Sequence, residues 1–425
     1  MEQGIRLKKG GDKPKTTGAS LSFLLLALIG HFLVMVDCSI AKPVISSIFL
    51  THFSAHHLPY TWLVTIPLNF FVVIAYNRWI DRLGSFRLFL IFATITAGLH
   101  LLAGRCVAEV GILSLILSIW KDVYIMLMFH MLWSVIHAVV HIKQATYLYG
   151  LFFVVGTVGA LFGDGLAGYY SLSLGSENLL FLTLPLYVLL GGVYFAMIKA
   201  GRLQRPSRLV GLKKEQGKWS DFRLIGASRL LQLILCAVVF MQVSTNIFDY
   251  QFKIILKERI VDQDLRTAFL GKLFLFVNSA GFLLQGVGGF ILVRMVGLRR
   301  SQCVLPLTLL FNVVGCLLAP GFFMITAAFG AVKAIDYSVF NLLKEMLYVP
   351  LSREEKFKGR ALIDVFAYRS SKAVASLIIL ALPPLFGRSQ GGLVLVACLY
   401  VLWFIAAYAV TRPRIWEARA QKQPT

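Results

Sequence analysis

The sequence has little charge, and few of its charged residues are acidic. Charged residues make up 15% of the 425 positions, and 42 Lys and Arg stand against 20 Asp and Glu. With 58% apolar residues, this composition excludes an ordinary soluble globular protein. Apolar stretches long enough to cross about 30 Å of hydrocarbon follow one another along nearly the whole chain. We therefore predict an all-α polytopic membrane protein.

The sequence also lacks the motifs of several enzyme classes. Its six cysteines lie scattered in apolar segments without CxxC or Cys/His spacing, which predicts packing residues and not disulfides or metal ligands. It contains no GxxxxGK phosphate loop and no HExxH pair. These absences exclude an ATP-hydrolysing pump, and we predict no enzymatic activity, cofactor or metal site. The first apolar stretch carries no small-residue cleavage site, so we expect it to remain as a span.

The apolar stretches predict twelve membrane spans in two halves of six. The predicted boundaries are 1–198 for the N-terminal half, 199–229 for a basic cytoplasmic linker, 230–411 for the C-terminal half and 412–425 for a cytoplasmic tail. Asp249 and Lys253 fall in the seventh span where Asp37 and Lys42 fall in the first. Two repeated halves of six spans are the plan of major facilitator-like transporters.

A short charged turn follows the second span of each predicted half. Asp81, Arg82 and Gly84 resemble the turn between spans two and three of the major facilitator superfamily. Arg294 and Gly297 fall at the matching place in the second half. The turn therefore supports the repeat independently of the charges within the spans.

The distribution of Lys and Arg predicts the orientation of the chain. With the N-terminus placed inside, the predicted outer loops hold only Arg105, Lys257, Arg259, Arg266 and Arg388. Cytoplasmic loops carry the excess of Lys and Arg in membrane proteins, so both termini are predicted to be cytoplasmic, in a bacterial inner membrane. The net charge of +22 is then a topology signal and an attraction to lipid headgroups, and it does not indicate a nucleic-acid surface.

Residues 333–372 concentrate ionisable side chains inside predicted spans. One helical face is predicted to hold Lys333, Tyr337, Phe340, Lys344 and Tyr348. Asp336 lies one turn from Lys333 and is predicted to pair with it. The following helix brings Asp364, Tyr368, Arg369 and Lys372. A charge at the bilayer centre costs roughly 2.5 to 3.5 kcal/mol on insertion scales, so such residues normally face a cavity or a partner.

Two segments in this region resemble a known family. KAIDYSVFNLLKEMLYVPL and KFKGRALIDV are similar to the tenth and eleventh spans of the ATP/ADP carriers of plastids and intracellular bacteria. The resemblance implies a nucleotide transporter, with Lys333 and Lys372 on family lysines and Tyr250 and Lys253 near the end of the seventh span. The chain departs from the family where Asp336 replaces a second lysine.

Several basic residues facing one cavity would hold an anion by charge-assisted hydrogen bonds. The candidate substrate-binding residues are Lys42, Tyr250, Lys253, Lys333, Tyr337, Lys344, Arg369 and Lys372. The candidate coupling or ion-pair residues are Asp37, Asp249, Asp336 and Asp364. Of these, Lys42, Lys253, Lys333 and Lys372 are expected to converge at mid-depth between the halves.

These residues favour a secondary transporter of an organic anion, a nucleotide or a nucleotide-like phosphorylated metabolite, working by exchange or symport. The alternatives are a proton-coupled transporter of another solute and a membrane scaffold held by buried ion pairs. The expected partners are a small anionic solute and membrane lipids, with no nucleic acid, and the chain is expected to be a monomer. A histidine row (His130, His137 and His141) is open to two interpretations, a proton relay or packing.

Asp336 lowers the expected charge of the solute. A carboxylate about 4 Å from Lys333 would interact with it by about 4 kcal/mol at an effective dielectric constant of 20. We therefore expect a solute less charged than ATP, or a transport cycle in which protonation of Asp336 frees Lys333.

Overall fold

The computed structural model describes residues 20–140, 142–201, 226, 228–349, 351–352, 355, 359, 363, 367–385 and 390–411. Within these ranges the chain is helical and contains no strand. Asp364, His141, most of the predicted linker and the predicted tail lie outside the described residues.

The first group of helices is built from long apolar segments. It comprises α1 (Leu21–His52), α2 (Leu58–Leu83), α3 (Ser85–Cys106), α4 (Ile112–Val139), α5 (Ile142–Leu174), α6 (Ser176–Leu179) and α7 (Thr183–Ala200). Ser20 caps α1 by accepting a hydrogen bond from the Phe23 amide at 3.2 Å.

The second group follows the same plan but is interrupted twice by π-helical turns, at Leu284–Gly288 and at Asp336–Phe340. It comprises α8 (Arg229–Arg259), α9 (Gln263–Leu283), α10 (Gly289–Val296), α11 (Leu298–Leu318), α12 (Phe322–Ile335), α13 (Asn341–Tyr348), α14 (Tyr368–Ala381) and α15 (Gly391–Thr411).

The described helices form a membrane-spanning bundle. Eleven of them, counting continuous helical segments, are long and apolar enough to cross a bilayer, and Ser370–Ala381 is a shorter apolar helix. The prediction of an all-α polytopic membrane protein is confirmed. The count of twelve spans stays a prediction, because residues 353–366 include many that lie outside the described part.

Each group of helices packs around its own apolar core. The first core is centred on α1 and α4 and contains fully buried aromatic residues such as Tyr124 and Tyr194. The second contains Phe252 stacked on Phe329 with ring centroids 4.2 Å apart. The second core also takes in Phe49, Leu50, Ala55, Leu58 and Trp62 from the α1–α2 corner. The two groups therefore meet at this corner.

The repeat predicted from the charged turns reappears in the backbone. Gly84 joins α2 to α3 with φ +80°, and Gly297 joins α10 to α11 with φ +83°. Both angles lie in the region that glycine adopts without steric cost. Matching left-handed glycines at matching turns are consistent with two halves of one plan.

Helix α5 approaches both groups closely because its contact positions are glycines. A Cβ atom on Gly163 would lie 2.4 Å from the Val36 carbonyl oxygen of α1. A Cβ atom on Gly271 of α9 would lie 2.4 Å from the Gly168 amide nitrogen of α5. Close backbone approach through small residues is a common way for membrane helices to pack without a hydrophobic driving force. The contact between α5 and α9 joins the two groups.

Polar contacts join the two groups at one end of the bundle, which we call the sealed end and which holds the α1–α2 and α8–α9 turns. Arg266, only 1% exposed, donates to the Ser47 carbonyl oxygen at 2.9 Å and to the Ser47 Oγ at 3.1 Å. The Ser176 hydroxyl donates to Asp264 Oδ1 at 2.5 Å. His56 Nδ1 and the Tyr250 hydroxyl are 2.7 Å apart. This end is opposite to the one at which the described chain begins and finishes.

Candidate functional site

A polar cavity of about 120 Å³ lies between the two helix groups, inward of the sealed end. Its lining comes from three helices of each group, and consists of Ser46, Phe49, Leu58, Trp62, Ser118, Lys121, Asp122, Asn246, Asp249, Lys253, Lys333 and Lys372. Four lysines and two aspartates in so small a space are rare within the membrane, where ionisable residues mark solute or ion paths. The cavity is the candidate functional site.

Two ion pairs organise the charges of the cavity. Lys253 Nζ lies 2.8 Å from Asp249 Oδ2, one turn away on α8. Lys372 Nζ of α14 lies 2.5 Å from Asp122 Oδ2 of α4, so this pair joins the two groups. Lys121 Nζ is 3.9 Å from the other oxygen of Asp122. The lysines outnumber the aspartates by two, and the cavity therefore suits an anion.

An indole ring lies against two of the ammonium groups. The ring centroid of Trp62 is 5.4 Å from Lys372 Nζ and 5.9 Å from Lys253 Nζ. Contacts of this length are cation–π interactions, and they hold an ammonium in place without neutralising it. Trp62 thus helps to hold the ammonium groups of Lys253 and Lys372 at the cavity, where each also has an aspartate partner.

Lys333 has aromatic neighbours of its own. Its Nζ lies 5.7 Å from the ring centroid of Phe329 and 5.9 Å from that of Tyr337. Within the described residues, no carboxylate lies within salt-bridge distance of Lys333. Lys333 is therefore the cavity lysine best placed to take an anionic partner.

Lys42 faces a different space from the other three predicted lysines. Lys253, Lys333 and Lys372 line the cavity together, but Lys42 does not. It is solvent-exposed although it lies in the middle of α1, and it is within electrostatic range of Tyr337, Lys333 and Asp164. Lys42 is therefore exposed outside the cavity, although it lies near enough to Lys333 for their charges to interact.

Tyr250 was predicted as a substrate contact, but its side chain does not line the cavity. It is 2% exposed, and its hydroxyl meets His56 at the sealed end. Successive helical residues are turned by about 100°, so Tyr250 cannot share the face of Asp249. Its position indicates a role in closing the sealed end.

Asp37 does not match Asp249, as the repeat had suggested. Asp37 is buried inside the first group and accepts a hydrogen bond from the Tyr187 hydroxyl at 2.8 Å. Residues four apart on a helix lie on one face, whereas the five-residue spacing of Asp37 and Lys42 turns them about 140° apart. The repeat therefore preserves the residue types in α1 and α8 but not their directions.

Asp336 is not paired with Lys333. It is 3% exposed and accepts a hydrogen bond from Gln242 Nε2 at 2.9 Å, within the second group. The predicted single face is also divided, because the chain forms a π-helical turn at Asp336–Phe340. Tyr337 stays 37% exposed beside Lys333, whereas Phe340 packs against Trp403 in the core.

The remaining candidates lie away from the cavity or outside the described side chains. Lys344 is half-buried on α13, beyond the π-helical turn. Nothing is described of the side chain of Arg369, although its backbone belongs to α14. His130 is exposed beside Tyr76 and His137 beside Trp133, with ring centroids 5.2 and 5.4 Å apart. Neither histidine lines the cavity.

Sequence reasoning did not select Trp62, Lys121 or Asp122 as site residues. A signal was present, because Lys121 and Asp122 interrupt an otherwise apolar stretch of α4. Their importance becomes visible only when Lys372, 250 positions along the chain, meets Asp122.

Comparisons with known proteins match the C-terminal region most specifically. Residues 317–413 match the family described as TLC ATP/ADP transporter, and this region contains Lys333 and Lys372. The chain is 23% identical over 337 residues to ADP,ATP carrier protein 1 of Rickettsia typhi, covering 69% of this chain and 66% of that protein. It is 26% identical over 302 residues to ADP,ATP carrier protein 1 of Chlamydia trachomatis, covering 61% and 56%. The chain thus covers less than two thirds of these relatives' own length.

Solved transporter structures share the architecture. A bacterial homologue of the iron transporter ferroportin, in its inward-facing state, superposes with a TM-score of 0.63 at 13% identity, covering 92% of this chain and 99% of that one. The nucleoside transporter NupG superposes with a TM-score of 0.55 at 13% identity, covering 92% and 97%. At such identities the likeness is one of fold, and it agrees with a major facilitator-like bundle. By its C-terminal signature and its relatives, the chain is similar to the ATP/ADP carriers, at 23–26% identity to the two named above.

Proposed function

We propose that the chain is a secondary transporter of an organic anion, a nucleotide or a nucleotide-like phosphorylated metabolite. The observation that carries the proposal is the cavity between the helix groups, with four lysines and two aspartates. Preorganised ammonium groups bind phosphate oxygens by charge-assisted hydrogen bonds. The printed names of the relatives, ADP,ATP carrier proteins, support the nucleotide class. We expect the solute to pass through chemically unchanged.

The charge of the cavity favours a solute less charged than ATP. Asp249 and Asp122 each already neutralise one lysine, which leaves Lys121 and Lys333 as the lysines in excess. A phosphate monoester, with close to two negative charges, balances that excess.

The cavity is smaller than most sites for small molecules, which usually measure about 300–1,000 Å³. The present 120 Å³ is therefore a contracted form of the site.

Alternating access supplies the transport mechanism. The polar contacts at the sealed end close one route to the cavity, so a solute enters from the opposite end. We place both termini in the cytoplasm of a bacterium, with the chain in the inner membrane, so that this form is open towards the cytoplasm. The proposed moving parts are residues 1–198 and 230–411, joined by the linker 199–229 and followed by the tail 412–425. We expect a monomer surrounded by membrane lipids.

Uptake into proteoliposomes tests the proposal. Purified protein is reconstituted and given a panel of labelled nucleoside mono-, di- and triphosphates and other phosphorylated metabolites, with and without internal solute. We expect exchange of at least one phosphorylated solute, and its loss in Lys333→Gln. A protein that folds but exchanges none of the panel would favour the membrane scaffold instead.

A further inference from the structure

The first helix group contains a buried polar cluster that does not touch the cavity. It consists of Asp37 on α1, His100 on α3, Tyr124 on α4, and Thr183 and Tyr187 on α7. None of these side chains is more than 5% exposed, and none lines the cavity. Burying five polar side chains in the hydrocarbon region is costly, and the transport site proposed above does not require it.

The hydrogen bonds of the cluster determine where its protons lie. The Tyr187 hydroxyl donates to Asp37 Oδ1 at 2.8 Å. The Thr183 hydroxyl donates to the Leu180 carbonyl oxygen at 2.6 Å, so its oxygen accepts from His100 Nδ1 at 2.8 Å. His100 therefore carries its proton on Nδ1 and keeps a lone pair on Nε2. Tyr187 and His100 Nδ1 are also 3.4 Å apart, which links the histidine to Asp37.

One polar atom of the cluster, His100 Nε2, is buried and has no hydrogen-bond partner among the described residues. The rings of His100 and Tyr124 meet edge to face with centroids 5.5 Å apart, and the Tyr124 hydroxyl lies close to Asp37 and Tyr187. A buried nitrogen lone pair without a donor loses its hydration and gains nothing in return. The cluster is thus incomplete, and the group that it lacks is a hydrogen-bond donor.

No positive side chain balances Asp37. Within the described ranges, Asp37 forms no salt bridge. The ionisable groups around it are Tyr124, Tyr187 and His100 from three neighbouring helices, and Cys38 and Lys42 from its own. Lys42 points about 140° away and is solvent-exposed. An unpaired carboxylate in such surroundings is strongly disfavoured unless it takes up a cation.

We propose that Asp37 and His100 form a proton-binding site whose occupancy is coupled to solute transport, a proposal that rests on the transport function above. Asp37 accepts a proton to become a neutral carboxyl group, and His100 Nε2 is a second acceptor. A metal ion would need several oxygen ligands directed at one point. Here the Tyr187 hydroxyl instead points its hydrogen at the carboxylate, as suits a proton site.

Two helices, α1 and α4, contribute residues both to the cluster and to the lining of the cavity. Helix α4 presents Tyr124 to the cluster and Lys121 and Asp122 to the cavity. Helix α1 presents Asp37 to the cluster and Ser46 to the cavity. A movement of α1 or α4 that releases the solute therefore also changes the surroundings of Asp37. This shared support is a physical route for coupling.

The test uses full-length protein in proteoliposomes with labelled nucleoside monophosphate. The unmodified protein is expected to accumulate the nucleotide several-fold when the outside is more acidic, and to lose that accumulation with a protonophore. Asp37→Asn is expected to lose gradient-driven accumulation but to keep exchange without a gradient. His100→Gln is expected to weaken the response, whereas the exposed His137→Gln is the matched control and should behave as unmodified protein.

A second readout does not depend on transport. The infrared spectrum of the purified protein should show the C=O band of protonated carboxyl groups at neutral pH, and Asp37→Asn should lose a component of it that Asp164→Asn and Asp336→Asn keep, since Asp164 and Asp336 are also buried carboxyl groups. If Asp37→Asn does not fold, Tyr187→Phe, which removes the donor to the carboxylate, should shift the pH at which that band disappears. The proposal would be overturned if the band were absent or if accumulation did not depend on the pH gradient. It would also be overturned if a sodium gradient drove accumulation in place of the pH gradient. If the unmodified protein exchanged no phosphorylated solute at all, the transport function itself would be refuted.

Discussion

Lys372 Nζ lies 2.5 Å from Asp122 Oδ2, and this ion pair joins the second helix group to the first inside the cavity. The two side chains are 29% and 28% exposed, so water in the cavity reaches both. The pair is therefore weaker than a fully buried one, for which loss of a partner costs about 3–5 kcal/mol. A solute phosphate can replace the Asp122 carboxylate as the partner of Lys372.

Asp122→Asn should strengthen anion binding, because it removes the internal competitor for Lys372. We expect Kd for a nucleoside monophosphate to fall by up to about tenfold, which corresponds to about 1.4 kcal/mol. Quenching of tryptophan fluorescence at Trp62 or titration calorimetry measures the change. Asp81→Asn, in the last turn of α2 and outside the cavity, is the control. An unchanged Kd in Asp122→Asn would show that solute does not compete with this carboxylate.

Lys333→Gln should weaken binding by about 10- to 100-fold. A hydrogen bond to a charged group contributes about 1.5–3 kcal/mol, and Lys333 has no carboxylate partner among the described side chains to replace it. Lys272→Gln is the matched control, since Lys272 lies over the Tyr169 ring at 5.2 Å and outside the cavity. If both variants bind alike, Lys333 is not a solute contact.

Asp336→Asn should have little effect on solute affinity. The sequence alone predicted that this carboxylate pairs with Lys333, but it accepts from Gln242 and forms no salt bridge with Lys333. Asp336→Ala should lower the free energy of unfolding by about 1–3 kcal/mol, because Gln242 then loses a buried partner. Thermal unfolding and Kd are measured on the same samples. A tenfold gain in affinity for Asp336→Asn would show that this carboxylate does weaken the hold of Lys333 on the solute.

Arg266→Gln should open the sealed end more often. The guanidinium donates to Ser47, Thr51 and the Ile260 carbonyl oxygen, and glutamine cannot span these acceptors. The measurement is labelling of Asn246→Cys in the cavity by a membrane-impermeant thiol reagent, in a cysteine-free background, from the sealed side. Labelling should rise several-fold. Arg105→Gln at the same end, where Arg105 packs on Phe181 of its own group, should leave it low.

Gly271→Ala should impair transport by forcing apart α5 and α9. Its methyl group would lie 2.4 Å from the Gly168 amide nitrogen, and overpacking of this kind costs about 1–3 kcal/mol. Gly330→Ala is the control, because its methyl group would meet side chains at an ordinary 3.6 Å. Exchange rates that stay equal in the two variants would show that close α5–α9 contact is not needed.

The fold followed from the sequence because lipid imposes strict requirements. Each apolar stretch must satisfy its backbone as a helix, so length and hydropathy were sufficient to predict the bundle. Lysines within the spans predicted a charged space between the halves, and the structure brings Lys253, Lys333 and Lys372 to one cavity. Their binding of a solute stays a prediction.

The partners of these charges could not be derived in the same way. The surroundings of Asp336 depend on a π-helical turn that a regular period of 3.6 residues does not anticipate. Asp37 departs from Asp249 because one extra residue separates it from its lysine. The role of Asp122 in the site is evident only from its contact with Lys372, because a contact between residues 250 positions apart leaves no local pattern in the sequence.

The sealed end closes without an ion pair between the groups in the described part of the chain. Arg266 bonds to hydroxyl and carbonyl oxygens, and Asp264 bonds to a serine. Hydrogen bonds between an ion and a neutral group respond far less to dissolved salt than attraction between opposite charges does. The balance between closed and open forms should therefore hold steady while the ionic strength outside varies. If the proposed transport function holds, the cycle would keep the same balance of forms whether the solution at the sealed end is dilute or saline.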